Sequence, residues 1–198
     1  MKIFPTDIKP SVSDFRLLAN SKTFSSGFNR SAQTVAFAGE MWTASLDFNV
    51  LTKEQTAQLI GFLWSLKGSA TPFLIGDSAF TLPMGTGNGA PVVAGANQTG
   101  TMLNIRGGDA NKTMLKAGDY IQIGNELKGV TRDCIVGADT MATIHFEPRL
   151  RVIPADGSAI IMKNTQGLFR LQDDKQIPRR SSRKRILTNV SLKLIEVI

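Results

Sequence analysis

A chain of 198 residues with 23 Lys and Arg against 16 Asp and Glu carries a formal charge of +7, and can bury a sizeable core as one large domain or two small ones. Its 42% hydrophobic and 20% charged content is ordinary globular usage and excludes wholesale disorder. One Cys (Cys134) and one His (His145) exclude an internal disulfide and any Cys-based zinc site, and leave one position for the usual general base.

The charge is local. Residues 165–198 hold eight Lys and Arg against three acids, a net of +5, whereas residues 1–164 carry only +2. A nucleic-acid reading therefore rests on one run and not on a basic face. Met1 to Asp7 lacks the apolar stretch of a signal peptide, and no run approaches the roughly 18 apolar residues that span a bilayer. A soluble protein made in a cytosol-like compartment, without membrane insertion, is expected.

In chain order, Phe15–Ala19 and Ala32–Ala38 are β-prone, and Gly39-Glu40 predicts a tight hairpin turn into the next strand. From Met41 to Val50, Trp42, Ala44, Leu46, Phe48 and Val50 alternate with Thr43, Ser45, Asp47 and Asn49, the period of a half-buried strand. A helix follows. Thr52 and Gln55 have capping-box spacing, and Ala57, Leu59, Ile60, Phe62, Leu63, Trp64 and Leu66 form a wide apolar stripe. Gly68 suits a left-handed cap, and Thr71–Ile75 a short strand. It is the one convincing helix.

Pro83 to Thr101 has the Gly, Pro and small polar residues of a loop. Short strands are then expected at Met102–Arg106, Met114–Lys116, Tyr120–Ile123, Glu126–Thr131, Met141–Glu147 and Ala159–Lys163, with turn residues between them, as in a small β-barrel. Val190, Leu192 and Leu194 alternate with Ser191, Lys193 and Ile195 in a terminal strand. An isolated strand is unstable in water, so it must join the sheet built by residues 13–75. The expected arrangement is a discontinuous domain, 1–82 with 166–198, and a barrel inserted at 83–165.

Few residues offer chemistry. Gly85-Thr86-Gly87-Asn88-Gly89 lacks the Lys-Ser/Thr and the following helix of a phosphate loop, and is expected to be a flexible linker. His145 has no second His beside it and points away from the core face of its strand. Cys134 has no basic neighbourhood to activate it and is expected to be packed. Asp109, Asp119, Asp156 and the pair Asp173-Asp174 sit mainly beside Gly or in turns, where Asp stabilises backbone geometry. The sharpest feature is the basic run from Lys175 to Arg185. It suits contact with phosphates or an acidic protein surface, against the plainer alternative of a solvated loop. It has no aromatic residue to stack on bases.

The Trp42 strand, Leu51-Thr52-Lys53-Glu54-Gln55, Gly68, Thr71-Pro72-Phe73-Leu74 and the terminal Val190 to Val197 together resemble the distal tail proteins of tailed bacteriophages. The likeness covers about half the chain. It implies a mainly β, tail-tube-like sandwich or split barrel flanked by one helix. The inserted part is similar to the oligonucleotide/oligosaccharide-binding-like (OB-like) barrel of some of these proteins, on Gly118 to Gly124, Gly137 to Glu147 and Pro148-Arg149-Leu150-Arg151. The resemblance implies a virion protein, made in the host bacterial cytoplasm, forming a hexameric ring at the end of the tail tube. The ring would join the tube protein to hub and fibre proteins and let phage DNA pass without sequence-specific binding. No catalytic residue, cofactor or metal is implied. Thr43, Ser45, Asp47 and Asn49 would face the lumen, and Lys175, Arg179, Arg180, Arg183, Lys184 and Arg185 a neighbour. The alternatives are a nucleic-acid-binding module using the barrel and residues 175–185, and, by analogy of fold alone, a hydrolase or carbohydrate-binding barrel.

Overall fold

The computed structural model describes residues 1–178 and 188–197. The described residues are mainly β, 43% strand against 10% helix, and include one α-helix. Strands β1 (Lys2–Ile3), β2 (Val12–Leu18), β3 (Ser21–Ser25), β4 (Ala32–Ala36) and β5 (Met41–Val50) precede helix α1 (Lys53–Ser65) and β6 (Phe73–Ile75). Then come β7 (Gly89–Val93), β8 (Met102–Gly108), β9 (Thr113–Leu115), β10 (Tyr120–Ile123), β11 (Glu126–Val130), β12 (Cys134–Ile135), β13 (Met141–Glu147) and β14 (Ile160–Ile161). Strands β15 (Gly167–Leu171) and β16 (Thr188–Glu196) close the sequence.

The first sheet has the order β1-β6-β15-β16-β5-β2 and draws on both ends of the chain. Strand β16 lies between β15 and β5, with Val190 opposite Phe48 and Ile195 opposite Thr43. The alternation of β5 places Trp42, Ala44, Leu46 and Phe48 in the core and leaves Thr43, Ser45 and Asp47 half-buried on the other face.

Helix α1 covers the core face. Thr52 Oγ1 accepts from the backbone N–H of Gln55 at 3.2 Å, and Gln55 Oε1 accepts from that of Thr52 at 3.1 Å, so two free donors are satisfied reciprocally. Leu59, Leu63 and Leu66 are fully buried with Phe48, Phe73 and Phe169. Phe62 meets Phe4 and Phe73 edge-on, at centroid distances of 5.4 and 5.3 Å. The buried stripe is narrower than expected: Ala57 is exposed, and so is Trp64, at 56%. Lys67 already turns left-handed, one residue before Gly68. A Cβ at Gly68 would lie 2.5 Å from the Asp174 carboxylate.

The second sheet, β14-β10-β11-β13-β8-β7, curls into a nearly closed six-stranded barrel. Closure runs through a bridge between Val92 and Ala159, with Val93 N donating to Ser158 O at 2.9 Å and Gly157 N to Val93 O at 3.0 Å. Strands β9 and β12 pair separately. Leu103, Ile105, Met114, Leu115, Ile121 and Ile144 are fully buried inside. Chain entry and exit lie side by side, because Asn164 N donates to Thr81 O at 2.7 Å.

One expected turn is not there. Residues 32–36 pair with β3 and not with β5, while β5 pairs along its length with β2. Gly39-Glu40 is therefore no hairpin turn. It is a point where one long ribbon continues from the sheet into a projecting arm, held by Phe37 N to Asn20 O at 2.7 Å and Asn20 Nδ2 to Ala38 O at 2.8 Å.

Replacing Trp42 by Ala should lower stability by roughly 3–5 kcal/mol in urea unfolding, the cost of an emptied aromatic site. Replacing Thr52 by Ala should cost about 1 kcal/mol, the loss of one cap.

Candidate functional site

Three surfaces are built by this architecture: an open sheet face, an arm and a junction. On the open face the strand register lines up Asp14, Ser45 and Lys193 in one row and Arg16, Thr43 and Ile195 in the next. A row below, Val12, Asp47 and Ser191 stand together. A shallow trough of about 730 Å³ runs here, lined by Asp14, Arg16, Thr43, Ser45, Gln172 and Lys193 among others. Thr43, Ser45 and Asp47 thus share a face with both signs of charge, while Asn49 lies further along it and is exposed. No element of the described residues covers this face as α1 covers the other.

The arm is a bare two-stranded ribbon. Register places Lys22 and Phe24 with Gln33 and Val35 on one side, and Ser21, Thr23, Ser25, Ala32, Thr34 and Ala36 on the other. Every residue of β3 and all of β4 except Val35 are exposed. Lys22 Nζ sits 5.2 Å from the Phe24 ring centroid, and the Thr23 and Thr34 hydroxyls bond at 2.8 Å. At the tip Phe28 is fully exposed, and Phe24 and Phe37 are 49% and 44% exposed. Residues 19–39 contain Lys22 and Arg30 and no acid. Such a ribbon has no core of its own, and isolated two-stranded hairpins are at best marginal in water.

At the junction the barrel meets the sheet. Trp42 Nε1 donates to Leu127 O at 2.9 Å, and its ring meets Tyr120 edge-on at 5.6 Å. Gly129 makes room for it: a Cβ there would lie 3.3 Å from the indole. Arg151, from the loop after β13, pairs with Glu196 Oε1 at 2.8 Å and also donates to Glu40 O. Glu196 Oε2 in turn accepts from Trp42 N at 2.9 Å. Lys128 is fully buried, paired with Glu126 at 2.6 Å and donating to Arg149 O at 2.8 Å. Burial pulls the Lys128 ammonium down from its ordinary range, and Glu126 holds it up in part. One arginine therefore ties the barrel, β16 and the root of the arm.

The remaining sequence candidates fall elsewhere. Of the basic run, Lys175 is described and exposed, whereas Arg179, Arg180, Arg183, Lys184 and Arg185 lie outside the described residues. The Gly85–Gly89 segment is not a free linker. Met84 N and Gly85 N donate to the Asp119 carboxylate, which also accepts from Lys116 N, and Thr86 and Gly87 bond to β9. Asp156 pairs with Arg106 at 2.6 Å, Asp173 accepts from Lys175 N, and Asp174 accepts from Ser69 N at 2.7 Å. Cys134 is buried, and burial pushes its thiol up to about 11. His145 is half-buried on β13, opposite Met102. Among the described residues no group of three or more His, Cys, Asp or Glu is placed to hold a metal ion. None of their helices is long and apolar enough to cross a membrane.

The junction was missed by sequence reasoning. One signal was present, because Glu196 falls in phase with Val190, Leu192 and Leu194, the buried register of β16. No family model matches the chain, and no characterised protein matches it at significant similarity.

Replacing Arg151 by Ala should destabilise the protein by roughly 3–5 kcal/mol, because it strands a buried carboxylate. Combining Arg151→Ala with Glu196→Gln should recover part of that loss, as a double-mutant cycle with the two single changes, followed by chemical unfolding, would show.

Proposed function

We propose that this protein is a structural subunit of a phage tail, a ring-forming component at the distal end of the tail tube. In this reading six copies join the tube to the hub and fibre proteins and leave a channel through which DNA passes, and the protein performs no catalysis. The observation that carries the reading is the incomplete sheet. Among the described residues it is sealed by α1 on one face, open on the other, unpaired along the outer side of β2, and extended by an arm that none of them covers. Head-to-tail contact between copies covers a free edge and closes a ring, which removes the edges altogether.

The open face suits a lumen. Asp14 shares a row with Lys193, with Arg16 in the row on one side and Asp47 in the row on the other, so phosphates passing it meet no uninterrupted positive stripe. The Lys22 and Phe24 side of the arm offers apolar surface and positive charge to the adjacent copy. The whole assembly would reside in the virion.

Light scattering and negative-stain microscopy of the purified protein should show a closed ring and not a 21.5 kDa monomer. The combined change Phe24→Ser, Phe28→Ser and Phe37→Ser should leave the monomer folded, at under about 0.5 kcal/mol per site, and shift the mass toward the monomer. A monomeric wild type with steeply salt-dependent DNA binding would replace the ring with the nucleic-acid reading.

Thiol labelling tests the lumen. Cysteines introduced by Thr43→Cys and Asp47→Cys should react readily in the free subunit and several-fold more slowly in a tube-capped assembly. Native Cys134 stays silent because it is buried. Equal labelling rates in the two states would remove the lumen assignment.

A further inference from the structure

The junction holds more carboxylates than its cations match. Arg151 is committed to Glu196 and to the carbonyl of Glu40, and Lys128 to Glu126 and the carbonyl of Arg149. Glu40 and Glu147 remain. Their charges repel, with Arg149 and Lys128 supplying the charge that opposes Glu147. Oε2 of Glu40 is buried with no hydrogen-bond partner. A buried carboxylate oxygen without a donor is costly, and a proton on the pair lowers both the repulsion and the desolvation.

The two residues sit where a small change is felt across the junction. Glu40 precedes β5 at the root of the arm, and its carbonyl is held by Arg151. Glu147 ends β13 opposite Gly129, the residue against which the Trp42 indole packs. We propose that Glu147, set against the buried Glu40 carboxylate oxygen, is a proton-binding site, and that uptake of one proton from solvent tightens the barrel against the sheet and the root of the arm. The site belongs to the single chain; only its effect on the arm rests on the ring reading.

The sign follows from the neighbours. Burial, then the Glu40 charge, hold the Glu147 carboxyl above the ordinary carboxylate range, while Arg149 and Lys128 pull it down in part. A carboxyl raised in this way adds stability that is full below its unfolded value and is lost as pH rises through the folded one. The grip therefore strengthens as pH falls toward the ordinary carboxylate value.

Hydrogen exchange on the dissociated full-length chain tests this, with the His145→Gln change as background because His145 lies two residues before Glu147 on β13. The Trp42 amide, bonded to Glu196, reports junction opening, and the Leu103 and Ile144 amides of the barrel report global opening. Between about pH 7.5 and about pH 4.5, the ordinary carboxylate value, and after correction for intrinsic rates, opening at Trp42 should fall with pH, by no more than about tenfold per pH unit, the limit for one proton. Leu103 and Ile144 should not follow. Glu147→Gln should be protected already at the higher pH and show no slope, and Glu40→Gln should reduce the slope if Glu147→Gln does not fold. Equal wild-type protection at both pH values, or an undiminished slope in the folded variant, would overturn the proposal. Because the reading is made on dissociated protein, the outcome is independent of whether rings form.

Discussion

Everything outside the barrel depends on the pairing of β16 with β5. Strand β16 occupies an interior place in the first sheet, and Leu192 and Leu194 on it are only 0% and 1% exposed beside Leu46 and Ala44. Without it, β5 and β2 would be parted from β15, β6 and β1, and α1 would have half a floor to pack on. The same strand brings Glu196 under Trp42 and within reach of Arg151. Fold, barrel placement and arm root thus share one backbone ladder.

How much of this was written locally can be judged strand by strand. Strand β5 and the start of α1 were legible because each carries its own signal, a two-residue period and a capping box, and neither needs a distant partner to be recognised. The arm was not. Ala32–Ala36 is β-prone, but propensity does not name a partner, and Gly39-Glu40 imitates the turn of a hairpin that the chain does not make. Strands β7 and β15 were missed for different reasons: β7 lies in a Gly- and Pro-rich stretch, and Gly167–Leu171 is too short to show a period. The open face was legible as a set of outward side chains, whereas the rows that mix Asp14 with Lys193 exist only once β2 and β16 flank β5. The junction was least visible, since Lys128 lies in a strand where a charged residue ordinarily points to solvent, and the carbonyl that holds it, from Arg149, comes from the loop after β13.

The two kinds of surface make opposite uses of polarity. At the junction the Arg151–Glu196 and Lys128–Glu126 charges are buried and paired at short range, which fixes geometry more than it adds stability. On the open face and arm, charges and hydroxyls are left in water, next to the aromatic rings of Phe24 and Phe28. On the ring proposal these are the surfaces that would meet a second copy, and the absence of acids in the arm narrows which surfaces suit it.

The hydrogen bond between Asn164 and Thr81 has an evolutionary consequence. Because the chain leaves the sheet and returns to it at neighbouring points, the barrel is attached like a cassette, and a short turn could bridge its two ends. A lineage could trade one such cassette for another, or lose it, without redrawing the sheet beneath. What it would have to preserve is the seat, with a donor for Glu196 and an acceptor for the Trp42 indole.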